Sequence, residues 1–242
     1  MKKLFVFLIL FCSLNATPNS VFWTVCTTDV YDTGIGHIDV DNYFTVFNKR
    51  GRGSAFLPDV GLEVGLFSFK DWKTEGGFDY IGGADDPLYF NYGMGIAEGK
   101  LFENSPSFKV GIFNVGTRHR YYRTDQNIVD IIVGKDLPKC IGGGRLFFAG
   151  FSGSRAMGKN RQGFMAAYTQ AFCPETYCDE TEFNRWVFVA DYASGKNTIG
   201  GGGCGIYYYF NPYISILNGP VWFNLHEKWK WTVQIDISFK MY

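Results

Sequence analysis

The sequence predicts an all-β protein, an antiparallel up-and-down transmembrane β-barrel of about twelve strands. Three observations carry this. The last stretch, WKWTVQIDISFKMY, puts Trp229, Trp231, Val233, Ile235, Ile237, Phe239 and Met241 on one parity. Lys230, Thr232, Gln234, Asp236, Ser238 and Lys240 fall on the other. A period of two over this length is a strand with one apolar and one polar face. The composition combines 30 Gly with 24 Phe, 15 Tyr and 6 Trp, and few leucines recur at helical spacing, a balance that favours strands. Turn-forming clusters also recur at short intervals along the whole chain.

The strands are expected as follows. Over 37–47, Ile38, Val40, Phe44 and Val46 alternate with Asp39, Asp41 and Thr45. Over 60–69, Val60, Leu62, Val64 and Leu66 oppose Gly61, Glu63 and Gly65. Segments 77–83 and 88–97 flank ADDP, and 108–117, 127–134, 142–152, 162–172 and 183–193 follow. The series closes with 203–210, 212–218 and 229–240. NKRGRGS, EGG, DDP, ENSPS, KDLPK, SGKN, NP and NGP supply the Gly, Asn, Asp and Pro that turns require. An even strand number returns both chain ends to one side. No linker interrupts the pattern, so 17–242 reads as one domain.

The chain begins MKKLFVFLILFCSLNATPNS. A basic start, a short apolar run and small residues before Thr17 predict a cleaved signal peptide over 1–16, and hence export. That run is too short to span a bilayer as a helix, and no later segment offers ~20 apolar residues. Lys plus Arg and Asp plus Glu both number 23, which leaves no electrostatic case for nucleic acid. Five cysteines follow the signal: Cys26, Cys140, Cys173, Cys178 and Cys204. Cys173 and Cys178 sit at the ends of CPETYC, where a disulfide is one expectation and two free, half-buried thiols the other.

The apolar parity must face either lipid or a soluble core. Lipid is favoured by small residues on the polar parity (Gly61, Gly65, Gly93, Gly95, Gly111, Gly142, Gly144) and by aromatics near strand ends (Trp72, Tyr121, Tyr122, Trp222, Trp229, Trp231 and YYYF at 207–210). Strand lengths of about 9–11 residues suit a tilted crossing. The final strand also ends almost at the C-terminus, although Tyr242 falls on the polar parity. The segments FDYIGGADDPLYFNYGMG, VGIFNVGT, TDQNIVDIIVGK, GFMAAYTQAF, ADYASGKNTIGGGGCGIYYYF and GPVWFN…KWKWTVQIDISF resemble a family of exported, outer-membrane-barrel-like bacterial proteins with no assigned activity. The resemblance covers most of 54–239. It implies an exported barrel and carries over no catalytic residue.

Motifs that suggest chemistry have simpler readings. GGGGCG at 200–205 matches G-x-G-x-x-G, but IYYYF follows it, a strand where a dinucleotide site needs a helix. His37, His119 and His226 lack a second ligand at metal spacing, so each is expected to be a loop or interface residue, and no metal or cofactor is expected. HEKWK at 226–230 lacks the second histidine of a zinc-protease helix. A hydrolytic site would have to draw on Ser152, Ser154, His119, Asp125 and Asp191, but spacing does not bring them together, and no enzyme is expected. Arg118, Arg120 and Arg123 interleave with Tyr121 and Tyr122, which suits a loop meeting anionic headgroups. ADDP at 84–87 and the pair Asp39/Asp41 read as solvated acidic positions rather than a calcium site.

With the apolar parity toward lipid, Glu63, Asp130, Arg145, Arg185, Asp191, Lys230, Gln234, Asp236 and Lys240 are expected in the lumen. Trp231, Val233, Ile235, Ile237 and Phe239 are expected to face lipid. An arginine is then expected to be tolerated at Gln234 and rejected at Ile235. Charges of both signs in a lumen of this width predict a porin-like or channel-like barrel passing small solutes. The alternatives are a closed structural or surface-binding barrel and a soluble periplasmic barrel of lipocalin type. The expected partners are outer-membrane lipid, the barrel-assembly machinery and small solutes. Residues 17–36 are open between a first strand, a tail and a plug.

Overall fold

The computed structural model describes residues 20–46, 54–121, 123–141, 143–225 and 229–241. The expected signal peptide, Tyr122, Gly142, His226 and Tyr242 lie outside these residues. The strands are β1 (Ile35–Phe44), β2 (Asp59–Phe69), β3 (Trp72–Ile81), β4 (Leu88–Ile96), β5 (Ser107–Gly116) and β6 (Asp125–Asp136). They continue with β7 (Arg145–Ser152), β8 (Gln162–Thr176), β9 (Glu182–Ala193), β10 (Gly201–Asn211), β11 (Ile214–Phe223) and β12 (Trp229–Lys240). Each pairs with its sequence neighbours and β1 pairs with β12, which closes a barrel of twelve antiparallel strands. The only helical elements among the described residues are single 3₁₀ turns at Lys139–Ile141 and Arg155–Met157.

Each expected strand is present, but two expected turns are not turns. EGG lies inside β3: Gly77 faces β2, where a Cβ would stand 1.6 Å from the Leu62 carbonyl oxygen. The real reversal is Lys70–Asp71, with Lys70 in the left-handed region at φ 54°. NGP lies inside β11, and a Cβ on Gly219 would meet the Cys204 carbonyl at 2.1 Å. Glycine serves close backbone approach at both places rather than chain reversal.

Parity separates the two faces of the wall. One cross-strand row runs Phe172, Trp186, Tyr208, Ile216, Ile235, Val40, Val60, Tyr80, from β8 through β12 to β3. All eight side chains point outward, and the Trp186 and Tyr208 rings meet at a tilt with centroids 4.6 Å apart. Ile235 is 43 % exposed, whereas its neighbour Gln234 is 2 % exposed. The interior is filled from the other parity, so no part of the described chain covers this belt. Apolar area of this extent demands a nonaqueous surrounding.

The start of β1 and the end of β12 lie at one mouth, here the terminal mouth, together with the two-residue turns Lys70–Asp71 and Pro212–Tyr213. The connections 117–124 and 153–161 lie at the far mouth, and 97–106 lies at the terminal mouth. Ile235→Arg is expected to lower unfolding stability in lipid by about 2–4 kcal/mol, while Ile235→Leu leaves it unchanged. Urea titration in liposomes measures both, and equal stabilities would place Ile235 outside the bilayer.

Candidate functional site: a lumen filled by the N-terminal segment

Residues 20–34 run through the barrel interior. From Gly34 at the terminal mouth the segment reaches Trp23 near the far mouth, where the Trp23 indole donates to the Ile199 carbonyl (2.9 Å). There the Val21 N–H bonds the Thr24 carbonyl at 2.9 Å, and the chain turns back. Small wall residues make room for this path. A Cβ on Gly65 would lie 2.0 Å from the Asp32 carbonyl oxygen, and one on Gly95 2.8 Å from Val30. Gly203 and Gly205 embrace the Phe22 ring, with Cβ positions 2.3 and 2.4 Å from it. GGGGCG is therefore a piece of wall beside a bulky neighbour, wholly within strand surroundings.

The segment is fastened by charge. Asp191 Oδ2 accepts the backbone N–H groups of Phe22 (3.0 Å), Trp23 (2.9 Å) and Thr24 (2.7 Å), and the Thr24 hydroxyl at 3.0 Å. A carboxylate gathering several N–H donors makes strong, charge-assisted bonds. Lys109 pairs with Glu75 and reaches the Asp29 carbonyl at 3.4 Å, while Glu75 also accepts the Tyr31 N–H at 3.1 Å. Arg145 pairs with Asp29 and donates to Thr28 Oγ1 (3.1 Å) and Ser107 Oγ (2.9 Å). Gln234 donates to the Phe22 carbonyl (3.1 Å) and the Tyr43 hydroxyl (3.0 Å). Apolar packing completes the docking: Phe22 and Cys26 join a cluster with Ile128, Ile132, Phe147 and Leu217.

Glu63, Asp130, Asp191, Lys230 and Gln234 all point inward and are buried. Lys230 donates to Ser54 Oγ (2.7 Å) over the Phe56 ring. Arg145 and Asp236 face the interior near the terminal mouth. Arg185 sits on that rim, paired with Glu175 and donating to the Tyr209 (2.7 Å) and Phe210 (3.0 Å) carbonyls. Lys240 is exposed at the strand end. Trp231, Val233, Ile235, Ile237 and Phe239 occupy the outer face, of which Ile235 is the most exposed. The expectation that Gln234 tolerates arginine is corrected, because that side chain is wedged between the wall and the inner segment. Sequence reading missed Lys109, Glu75, Asp59, Asp79 and His37, all on the same parity as the residues it chose. His37 is a strand residue facing the lumen, not a loop residue.

Of the residues considered for a hydrolytic site, His119, Asp125 and Ser154 meet, but the Ser154 hydroxyl is spent on a backbone carbonyl. His119 and Arg123 both bond Asp125 (3.1 and 2.6 Å), Ser154 donates to the Asp125 carbonyl at 2.6 Å, and Asp191 is committed to the inner segment. Asp85 of ADDP lies 3.9 Å from Arg118, and Asp86 accepts from Thr117 (2.7 Å) and Thr124. Those hydroxyl bonds hold the Asp86 carboxyl below its usual range and tie two far-mouth loops together. Of the two expectations for Cys173 and Cys178, that of free thiols holds, with both exposed rather than half-buried, as β8 extends through Cys173 to Thr176. Among the described residues no three His, Cys, Asp or Glu side chains are grouped to hold a metal ion.

Among the described residues, two of the cavities adjoin both the wall charges and the inner segment. One of about 360 Å³ lies at the terminal mouth, lined by Tyr31, His37, Tyr207, Tyr209, Asp236 and Ser238 among others. The other, about 190 Å³, lies toward the far mouth against Trp23, Asp39, Asp41, Asp59, Asp79 and Met165. The inner segment lines both, and Ser20 is common to the two.

An apolar exterior, a polar and closed wall and a filled interior define a membrane β-barrel. Among solved structures the chain is similar to an outer membrane channel from Pseudomonas putida F1, at 10 % identity over 88 % of this chain and 98 % of that one, with a TM-score of 0.46. It is also similar to the translocator domain of the autotransporter NalP from Neisseria meningitidis, at 9 % identity over 88 % and 90 % of the two chains, with a TM-score of 0.35. At these scores neither likeness bears on function. No family model and no curated protein matches the chain.

Asp191→Ala strands three backbone donors and is expected to free residues 22–24, costing at least about 1–3 kcal/mol. Hydrogen exchange should then quicken at those amides and stay slow in β9 and β10. Lys109→Met leaves Glu75 without its charge partner and is expected to cost about 3–5 kcal/mol, read from unfolding in detergent.

Proposed function

We propose that this protein is an outer-membrane barrel that passes small solutes along a narrow path, with residues 20–34 as the element that holds the path closed. One observation carries this reading: the inner segment fills the lumen and lines two cavities that lie toward opposite mouths. Its charged fastenings, Asp191, Glu75–Lys109 and Asp29–Arg145, are reversible contacts, and it is continuous with the wall only through Gly34 into β1. Charged groups of both signs along the path suit small polar solutes. In this reading the chain is exported by its signal peptide, inserted by the barrel-assembly machinery and surrounded by lipid. A soluble lipocalin-like barrel would leave the Ile235 row in water.

A second reading, a closed barrel with a structural or surface-binding role, is favoured by the apolar docking of Phe22 and Cys26. Planar-bilayer recording separates the two. The chain lacking residues 20–33, shown to be folded by its heat-modifiable gel mobility, is expected to conduct more than the full chain. If the deleted barrel conducts no more than the full chain, the lumen is closed by the wall itself and the structural reading stands.

A further inference from the structure

We propose that Ser238, His37 and Asp236 form a serine-hydrolase triad that opens into the terminal-mouth cavity. The inference goes beyond the transport reading and does not rest on it.

The triad arises at the seam of the barrel. The β1–β12 register sets His37 opposite Ser238, and Asp236 follows two residues away on the same inward face. Ser238 Oγ lies 3.1 Å from His37 Nδ1, and Asp236 Oδ1 lies 3.3 Å from His37 Nε2. Each ring nitrogen therefore has one partner. The carboxylate selects the tautomer with the proton on Nε2, which leaves Nδ1 as the base facing the hydroxyl. The two imidazole nitrogens can exchange these roles, since a triad is defined by geometry and function rather than by atom name.

Supporting contacts orient the group. Ser215 Oγ donates to Asp236 Oδ2 at 3.3 Å. The Tyr31 ring stacks on His37 with centroids 5.3 Å apart and planes 21° from parallel. Tyr31 belongs to the inner segment, so docking of that segment also sets the imidazole plane. His37 and Asp236 side chains each retain 14 % exposure, which leaves the site accessible. A purely structural hydrogen-bonded ladder at the seam needs no adjoining space, yet all three side chains line the cavity of about 360 Å³. Val187 and Val189 give that cavity an apolar wall, and Tyr207 and Tyr209 line it as well. Phenol O–H groups are donors of the kind that stabilise an oxyanion. The substrate class is a carboxylic ester with an apolar acyl part.

In the reaction, Ser238 Oγ attacks the ester carbonyl carbon and its proton passes to His37 Nδ1. The C–O bond breaks, the alcohol leaves with that proton, and the acyl group stays on Ser238 Oγ. Water then attacks the acyl carbon and gives a proton to Nδ1. The carboxylic acid leaves, and the proton returns to Ser238 Oγ.

The test uses the full chain in detergent, with a fluorophosphonate probe and a series of p-nitrophenyl esters. The expected result is a phosphonyl adduct at Ser238 by peptide mass spectrometry, and ester hydrolysis lost in Ser238→Ala. His37→Gln and Asp236→Asn should lower the labelling rate on the order of 10³-fold or more. Each variant is first shown to keep its heat-modifiable gel mobility. Should Ser238→Ala not fold, Ser238→Cys replaces it, with reactivity expected to move from the fluorophosphonate to iodoacetamide. Absence of any adduct at Ser238 on the folded wild-type barrel overturns the proposal, as does labelling that is unchanged in folded His37→Gln.

Discussion

Pairing of β1 with β12 is the contact on which the rest of this structure depends. It removes both edges of the sheet and satisfies their backbone groups, as a sheet in hydrocarbon requires. Closure also converts sequence parity into a choice of medium. Every strand then has one face that meets the surroundings and one that meets the lumen, and the same alternation that exposes Ile235 buries Gln234. The seam has a chemical consequence as well, since it brings His37 from one end of the chain against Ser238 and Asp236 from the other.

A twelve-stranded wall encloses more space than its own inward side chains fill. Here the N-terminal segment supplies the remainder. Its path is recorded in the wall as missing side chains: Gly203 and Gly205 beside Phe22, Gly65 beside Asp32, Gly95 beside Val30. Those glycines weaken their strands, and close approach of the inner segment offsets that loss. The interior is divided accordingly. β6 to β11 present Ile128, Ile132, Phe147 and Leu217 to the segment, whereas β1 to β3 and β12 present Asp39, Asp41, Asp59, Asp79 and Lys230. Apolar contact anchors one side of the segment, and Asp191, Glu75 and Arg145 fix its register along the barrel axis. Displacing it would expose Phe22 and Cys26 and leave buried charges without partners. Occupancy of the lumen therefore depends on the docking of this one segment.

How much of this was legible beforehand depends on the range of the signal. Alternation is local, so the strands, their count and the outward face of β12 could be read directly from residues such as Trp231 to Phe239. The turn clusters were legible except where glycine had another task, in EGG and NGP, because a glycine needed for a close carbonyl looks like a glycine needed for a reversal. Parity pointed to Glu63, Asp130, Asp191 and Lys230 as inward residues. It could not say that Asp191 would be spent on three backbone amides of residues 22–24, because that contact spans most of the chain.

By itself, then, the sequence determined a chain of alternating strands that must close on itself and turn an apolar belt outward, since the period of two and the spacing of turns are properties of neighbouring residues. Only the tertiary structure decided that the lumen is filled, by which segment, and which charged groups hold it there. It alone aligned His37 with Ser238 and Asp236. Those facts depend on register between residues some two hundred positions apart, and register is set by closure of the whole sheet rather than by any stretch within it.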